Sequence, residues 1–247
     1  MPYQFTVSPD FSPDHLSGWY IFNTWLQKQT GEAIHLEMYD NFQSQRNAIQ
    51  QNNVDLIYAN PYDAAMLVRE KGFLPLVTSG IADEAIIAVN ADSPITDVAE
   101  LSANIRVAMS EDPDVRMMGL IMLEPADLNA SNISIIGCDS YVLVAKQLLK
   151  QDAEVGVFLA EAYDDLSSII KSKLRILVRS QISVIHHALM IGPKLANKRA
   201  EYQQLLLNMP DDPKGKDVLH SLGFETWVKV EDEDMEFMID LMDTLAI

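Results

Sequence analysis

A single cysteine, Cys138, stands in a chain of 247 residues, so no internal disulfide can form and no oxidising compartment is required. Glycine is scarce at ten residues, and neither a P-loop nor a dinucleotide fingerprint is present. The nucleophile-elbow pattern G-x-S-x-G is missing. No H-x-x-x-H pair or Cys/His spacing supports zinc, so neither a metal nor a cofactor is expected. Basic residues are few, 18 Lys and Arg against 36 Asp and Glu, giving a formal charge of −18. That balance argues against a nucleic-acid backbone or an anionic membrane surface as partner. No apolar run approaches the ~18 residues of a membrane span. "MPYQFTVSPDF" at the N-terminus lacks a basic stretch followed by an apolar one. The expectation is therefore a periplasmic protein if a leader has been removed, and a cytoplasmic one if the chain is the complete reading frame. With no catalytic constellation in view, a binding protein is expected rather than an enzyme.

Short apolar runs alternate with helical periodicity along nearly the whole chain. The runs are "YQFTV", "AIHLEM", "VDLIYA", "EAIIAV", "IRVAM", "ISIIG", "VGVFLA", "RILV" and "HALMIG". Between two of them, Tyr141, Val144, Ala145, Leu148 and Leu149 follow the i, i+3, i+4, i+7, i+8 pattern of one helical face. The C-terminal stretch predicts a helix with Met235, Met238, Ile239, Met242 and Leu245 on its buried side. Strands separated by helices imply α/β architecture, each lobe a mostly parallel sheet flanked by helices.

"VDLIYANPYDA" at 54–64 is echoed by "VGVFLAEAYDD" at 155–165, with Val, Ala, Tyr and Asp identical at a constant offset of 101. Each copy is a strand, a short turn and a helix start. The echo is either generic to strand–turn–helix units or the trace of two similarly built lobes. In the second case residues 1–82 with 187–247 form one lobe and 83–186 the other, and ligand binds in a cleft beyond the strand ends.

Four segments carry a family likeness: "QQNNVDLIYANPYDAAMLVREKGFLPLV", "IRVAMSEDPDVRMMGLIMLEPADL", "IIGCDSYVLVAKQLLKQDAEVGVFLAEAYDDL" and "DDPKGKDVLHSLGFETWVKVEDEDMEFMIDLM". In this order they resemble the phosphate/phosphite/phosphonate-binding proteins of ABC importers, a branch of the type 2 periplasmic binding protein fold. The resemblance implies a two-lobe solute-binding protein that closes by a hinge on a small molecule or oxyanion. It implies an ABC permease or a sensor protein as partner, without membrane insertion, and a monomer is expected. Two other readings of the same fold are a cytoplasmic ligand-sensing protein and a thiamin-pyrimidine-synthase-like enzyme.

At the site the sequence departs from the family. Where relatives place Ser/Thr hydroxyls after the DP turn, this chain reads Asp114-Val115-Arg116-Met117, and Cys138-Asp139 replaces a Ser-His pair. Lost hydroxyls remove charge-assisted hydrogen bonds to an oxyanion, so the expected ligand is not a simple phosphonate. Asp114 either caps the helix or faces ligand beside Arg116. Cys138 is either a small buried apolar residue or a thiolate ligand for a soft oxyanion. Asp139 either receives a ligand amine or caps the following helix. In the first lobe Tyr58, Asn60 and Tyr62 lie at a strand end, where at least one is expected to touch ligand, with Glu161 as their second-lobe counterpart. Phe11 follows the first strand, where the family's first ligand loop lies. His186, or its neighbour His187, lies on the returning strand.

Overall fold

The computed structural model describes residues 2–10 and 13–245. In chain order it forms β1 (Tyr3–Val7), α1 (Leu16–Thr30), β2 (Ile34–Leu36), α2 (Phe42–Gln50), β3 (Leu56–Ala59), α3 (Pro61–Lys71) and β4 (Leu74–Thr78). Next come β5 (Ala85–Asn90), β6 (Arg106–Ser110), α4 (Pro113–Met122), β7 (Ser134–Cys138), α5 (Tyr141–Leu149), β8 (Val155–Leu159), α6 (Ala160–Asp164), α7 (Ser168–Lys171) and β9 (Leu174–Arg179). The chain ends with β10 (Ala188–Ile191), α8 (Arg199–Leu207), α9 (Pro213–Ser221), β11 (Val228–Lys229) and α10 (Asp232–Leu245). It divides into two compact units, one holding residues up to Ile81 and again His186–Asp243, the other built on Ala82–Ile185.

In the first unit the sheet order is β11-β4-β10-β3-β1-β2, and in the second β7-β6-β8-β5-β9. Apart from β11, which has no counterpart, the pairings correspond strand for strand. β1 runs parallel to β2 and β3, as β6 runs parallel to β7 and β8. β10 is antiparallel to β3 and β4, as β5 is antiparallel to β8 and β9. Even the register slip recurs, at Leu189/Met190 and at Ile87/Ala88. The echoed segments thus occupy the equivalent central strands β3 and β8. The α/β architecture with helix-flanked sheets is as expected, and each sheet is mixed, with four of its strands running in one sense. Helical crossovers enforce parallel pairing only within each β-α-β run, and the strand entering each unit from the other inserts in the opposite sense.

Three helices start on the same chemistry. Asn60-Pro61, Asp112-Pro113 and Asp212-Pro213 each place a side-chain acceptor at the N-cap and proline in the first turn. The cap satisfies free N–H groups, and proline has no N–H to lose there. The DP signature of the sequence is therefore, first of all, a helix-start device.

Alternation along β3 loads both faces of the first sheet. Leu56 and Tyr58 join an aromatic layer with Phe5, Trp19, Phe22 and Trp227, while Ile57 and Ala59 pack with Met235, Met238 and Ile239 of α10. Met242 and Leu245, expected beside them, have side chains outside the described set. Across the aromatic layer, α1 meets α9 so closely that a Cβ on Gly18 would lie 2.1 Å from the Ser221 carbonyl oxygen. In the second unit Val144, Ala145 and Leu148 of α5 pack with Ile86, Ala108 and Phe158. Tyr141 and Leu149 are half-buried against them.

β4 was not among the apolar runs, because Pro75 sits inside it. Pro75 pairs opposite Met190 at the register slip, and β11 covers only Val77 and Thr78, so no ladder donor is demanded of the proline.

Candidate functional site

In each unit the polar side chains gather beyond the carboxyl ends of the parallel strands. In the first unit β1 ends at Val7 and β3 at Ala59, and α3 starts immediately after Asn60. Asn60 is fully buried. Its Oδ1 accepts the Asp63 N–H at 2.7 Å, and its Nδ2 donates to Ser8 Oγ at 3.1 Å and to Asp63 Oδ2 at 3.0 Å. Asp63, also buried, receives Arg46 Nε at 2.6 Å and Nη2 at 3.2 Å. The Arg46 guanidinium lies 5.4 Å from the Phe42 ring centre and 5.0 Å from that of Tyr62. Tyr62, in the first turn of α3, is 41% exposed.

Beside this network His187 enters from the start of β10. Its ring stacks on Tyr58 at 5.3 Å and 24°, and Tyr58 in turn packs on Trp19 at 4.7 Å. His187 Nε2 lies 3.1 Å from Asp10 Oδ2, and the Asp10 side chain is only 3% exposed. Burial works against ionising Asp10. The His187 charge, the hydrogen bonds from His187 and Ser8 and its own backbone N–H outweigh it, holding the carboxyl below the usual value.

In the second unit β6 ends at Ser110 and α4 begins after Asp112. Asp112 Oδ1 accepts the N–H groups of Asp114 at 3.2 Å and Val115 at 3.3 Å. Its Oδ2 accepts the Tyr141 hydroxyl at 2.7 Å, and the Asp112 N–H donates to Ser110 Oγ at 3.3 Å. Asp112 and Asp114 are both buried, at 3% and 2% exposed. A carboxylate of the chain itself therefore occupies the free N–H groups of this helix start.

Several of the residues singled out from sequence have other places than expected. Asp112, not Asp114, caps α4, because its side chain is one residue before the helix and reaches back onto the N–H groups. Arg116 lies on the exposed side of α4. Ser140 caps α5 through the Leu143 N–H, and Asp139 before it is exposed and does not serve as the cap. Cys138 ends β7 inside the apolar layer, 4% exposed. Burial first, and then the neighbouring Asp139 charge, push its thiol up, as for a small buried residue. Asn60 turns its amide inward as a cap. Glu161 lies exposed in the first turn of α6. His186 is half-buried just before β10, and it is His187 that joins the polar cluster. Phe11 lies outside the described residues.

Arg46, Asp63 and Asp10 were missed. Asn60 followed three positions later by Asp63 has the form of a capping box and was available as a signal. Asp10 and His187 are 177 positions apart, and no local pattern links them.

The family model for the periplasmic substrate-binding protein of phosphonate ABC transporters matches residues 5–235. Among solved structures the chain is similar to PhnD1 from Prochlorococcus marinus (MIT 9301) in complex with methylphosphonate. The TM-score is 0.83 at 14% identity, covering 99% of this chain and 98% of that one. It is also similar to the binding protein component of an ABC phosphonate transporter (PA3383) from Pseudomonas aeruginosa, with a TM-score of 0.74, 15% identity and 98% and 87% covered. The periplasmic aliphatic sulphonate binding protein SsuA from Escherichia coli follows with a TM-score of 0.68 at 14% identity, again with 98% and 87% covered. No curated protein matches the chain. At these identities the solved structures establish the fold.

Proposed function

Because the chain belongs to the family of periplasmic substrate-binding proteins of phosphonate ABC transporters, we propose that it is the solute-binding component of an importer whose ligand is not a simple phosphonate. The observation that carries the ligand half is Asp112. Its carboxylate accepts from the Asp114 and Val115 N–H groups and from the Tyr141 hydroxyl, with the Asp114 carboxyl buried next to it. A phosphonate placed at this helix start would have to displace Asp112 from those donors. It would also meet like charge in a low-dielectric setting, a penalty on the order of a few kcal/mol.

The family pattern supports the remaining parts of the proposal. These are a small molecule held by hinge closure, a permease that reads the closed form, and work in the periplasm. Among the described residues no helix is long and apolar enough to cross a membrane.

Calorimetry and thermal shift across phosphonates, sulphonates, small oxyanions, organic acids and amines test the reading. A response to one class with micromolar affinity supports binding, and a fall in radius of gyration on ligand addition supports closure. A preference for methylphosphonate over every other class overturns the ligand half. No response to any class overturns the binding reading.

A further inference from the structure

Acidic residues outnumber basic ones two to one along the chain, yet two segments of the second unit hold none. No Asp or Glu occurs between Asp139 and Asp152, nor between Asp165 and the end of β9 at Arg179. The fold lays both segments on the same side of the second sheet, where Val144, Ala145 and Leu148 of α5 share an apolar layer with Ile170 and Leu174. The Asn90 side chain donates to the Leu148 carbonyl at 3.1 Å, and Asn90 pairs with Leu174 in the β5–β9 ladder. Lys150, at the end of α5, and Lys173, just before β9, are thereby brought to one end of this face.

Val142, Lys146 and Lys150 repeat at i, i+4 and i+8 and form an exposed stripe along α5. In α7, Ile169 is 71% exposed, the most open of the large apolar side chains described, with exposed Ser167, Ser168 and Ser172 around it. Lys171 is tied to the Asp164 carbonyl and Arg179 to the Asp164 carboxylate. Lys146, Lys150 and Lys173 are exposed and make no ion pair among the described residues. One exposed isoleucine is ordinary in itself. Its place on an acid-free face beside three unpaired lysines, in a chain of charge −18, is not.

We propose that this face of the second unit docks reversibly on an anionic lipid surface, the three lysines meeting headgroup phosphates and Ile169 entering the headgroup boundary. The composition favours a bilayer over a protein partner. Protein interfaces are enriched in aromatic residues and arginine and depleted in lysine, whereas here the unpaired cations are all lysines and the exposed apolar groups are aliphatic. Lysines on flexible stems suit mobile headgroups. The overall charge that argues against a membrane acts weakly here, because charges farther away than a Debye length, about 8 Å at physiological salt, are largely screened. β6, β8 and β9 run in one sense, so Lys150 and Lys173 lie at the end from which β8 and β9 start. Asp112 lies at the opposite end, beyond the carboxyl terminus of β6, and docking leaves that end of the unit uncovered.

Vesicle co-sedimentation tests the proposal, with phosphatidylcholine alone and with about 30% phosphatidylglycerol added. The native chain is expected to bind the anionic vesicles about tenfold more strongly or better, and less as salt rises. The triple variant Lys146→Glu/Lys150→Glu/Lys173→Glu is expected to lose about tenfold or more, and Ile169→Ser about threefold. The variant Lys28→Glu/Lys214→Glu/Lys216→Glu changes the net charge equally at exposed positions of the first unit, and is expected to bind as the native chain does. No preference for the anionic vesicles overturns the proposal, as does an equal loss in the two triple variants, or native binding by Ile169→Ser. Binding to polyglutamate without binding to vesicles overturns it in favour of an acidic protein partner. If the first triple variant does not fold, acetylation of the native chain supplies the readout. Anionic vesicles are expected to protect Lys146, Lys150 and Lys173 and to leave Lys214 and Lys216 reactive, and uniform reactivity overturns the proposal.

Discussion

Arg46 grips Asp63 through both carboxylate oxygens, 2.6 Å from Nε to Oδ1 and 3.2 Å from Nη2 to Oδ2, while its guanidinium lies between the rings of Phe42 and Tyr62. The pair joins α2 to the first turn of α3. The same carboxylate receives Asn60, so the cap, the helix start and the exposed Tyr62 are fixed as one piece.

Replacing Arg46 with Met keeps the aliphatic packing and leaves Asp63, 1% exposed, without its cation. Removing one partner of such a pair costs about 3–5 kcal/mol when both are buried. The half-buried Arg46 places this case at the low end. The double variant Arg46→Met/Asp63→Asn is expected to recover most of the loss, because the stranded charge is gone. Urea denaturation of Arg46→Met, Asp63→Asn and the double variant against the native chain measures the coupling directly.

The architecture was legible because the hydrophobic pattern sets it. Nine apolar runs mark nine strands, and the 101-residue echo finds the two central ones. β4 was hidden by Pro75, which only the register slip with β10 makes tolerable. The site was less legible. Tyr62 and Tyr163 are equivalent in the echo, yet one is exposed and the other buried, and Asp63 is buried on Arg46 while Asp164 pairs with Arg179 at the surface. Local pattern fixes which element a residue starts, whereas burial and pairing depend on what the tertiary fold brings against it. Asp10 and His187 show the same limit, meeting only because β1 and β10 both flank β3.

The Asp10 carboxyl titrates below the ordinary value in the folded chain, because His187 and the nearby hydrogen bonds outweigh the cost of burial. A depressed folded pKa means that the ionised form stabilises the fold. The contribution is complete above the unfolded value, about 3.9 for Asp, and is lost as pH falls through the lower folded value. Stability is thus expected to fall on acidification below about pH 4. Asp10→Asn is expected to flatten that limb relative to the native chain. Chemical denaturation from neutral pH downward checks it, and parallel acid limbs for the two proteins count against it.

Cys138 is expected to behave as a protected thiol. Burial and the Asp139 charge both raise its pKa, so little thiolate is present near neutrality. Iodoacetamide is expected to leave the native protein unlabelled at pH 7.5 and to label it fully once unfolded. Arsenite is expected to produce no thermal shift, and a saturable shift would restore the thiolate reading.

Glu84 organises the segment that leads out of the second unit. Its Oε2 accepts the Ile182 N–H at 3.0 Å and the Ser180 hydroxyl, and its Oε1 accepts the Ser183 N–H at 2.8 Å. Ser183 is held at φ 60°, a left-handed conformation disfavoured for a residue with a Cβ. Strain of this kind persists only where the surroundings impose it, and the Glu84 carboxylate is the group that binds the backbone here. Glu84→Ala therefore removes three acceptor contacts at once and lets the 180–183 backbone relax. Hydrogen exchange at the Ile182 and Ser183 amides is expected to accelerate by about tenfold or more, an opening free energy lowered by about 1.4 kcal/mol. The β5–β9 pairing, with its ladder from Asn90/Leu174 to Ile86/Arg179, is expected to stay protected. Unchanged exchange at Ile182 and Ser183 would show that the left-handed turn holds without Glu84, and a loss of protection along β5 as well would show that the residue supports the sheet and not the exit segment alone.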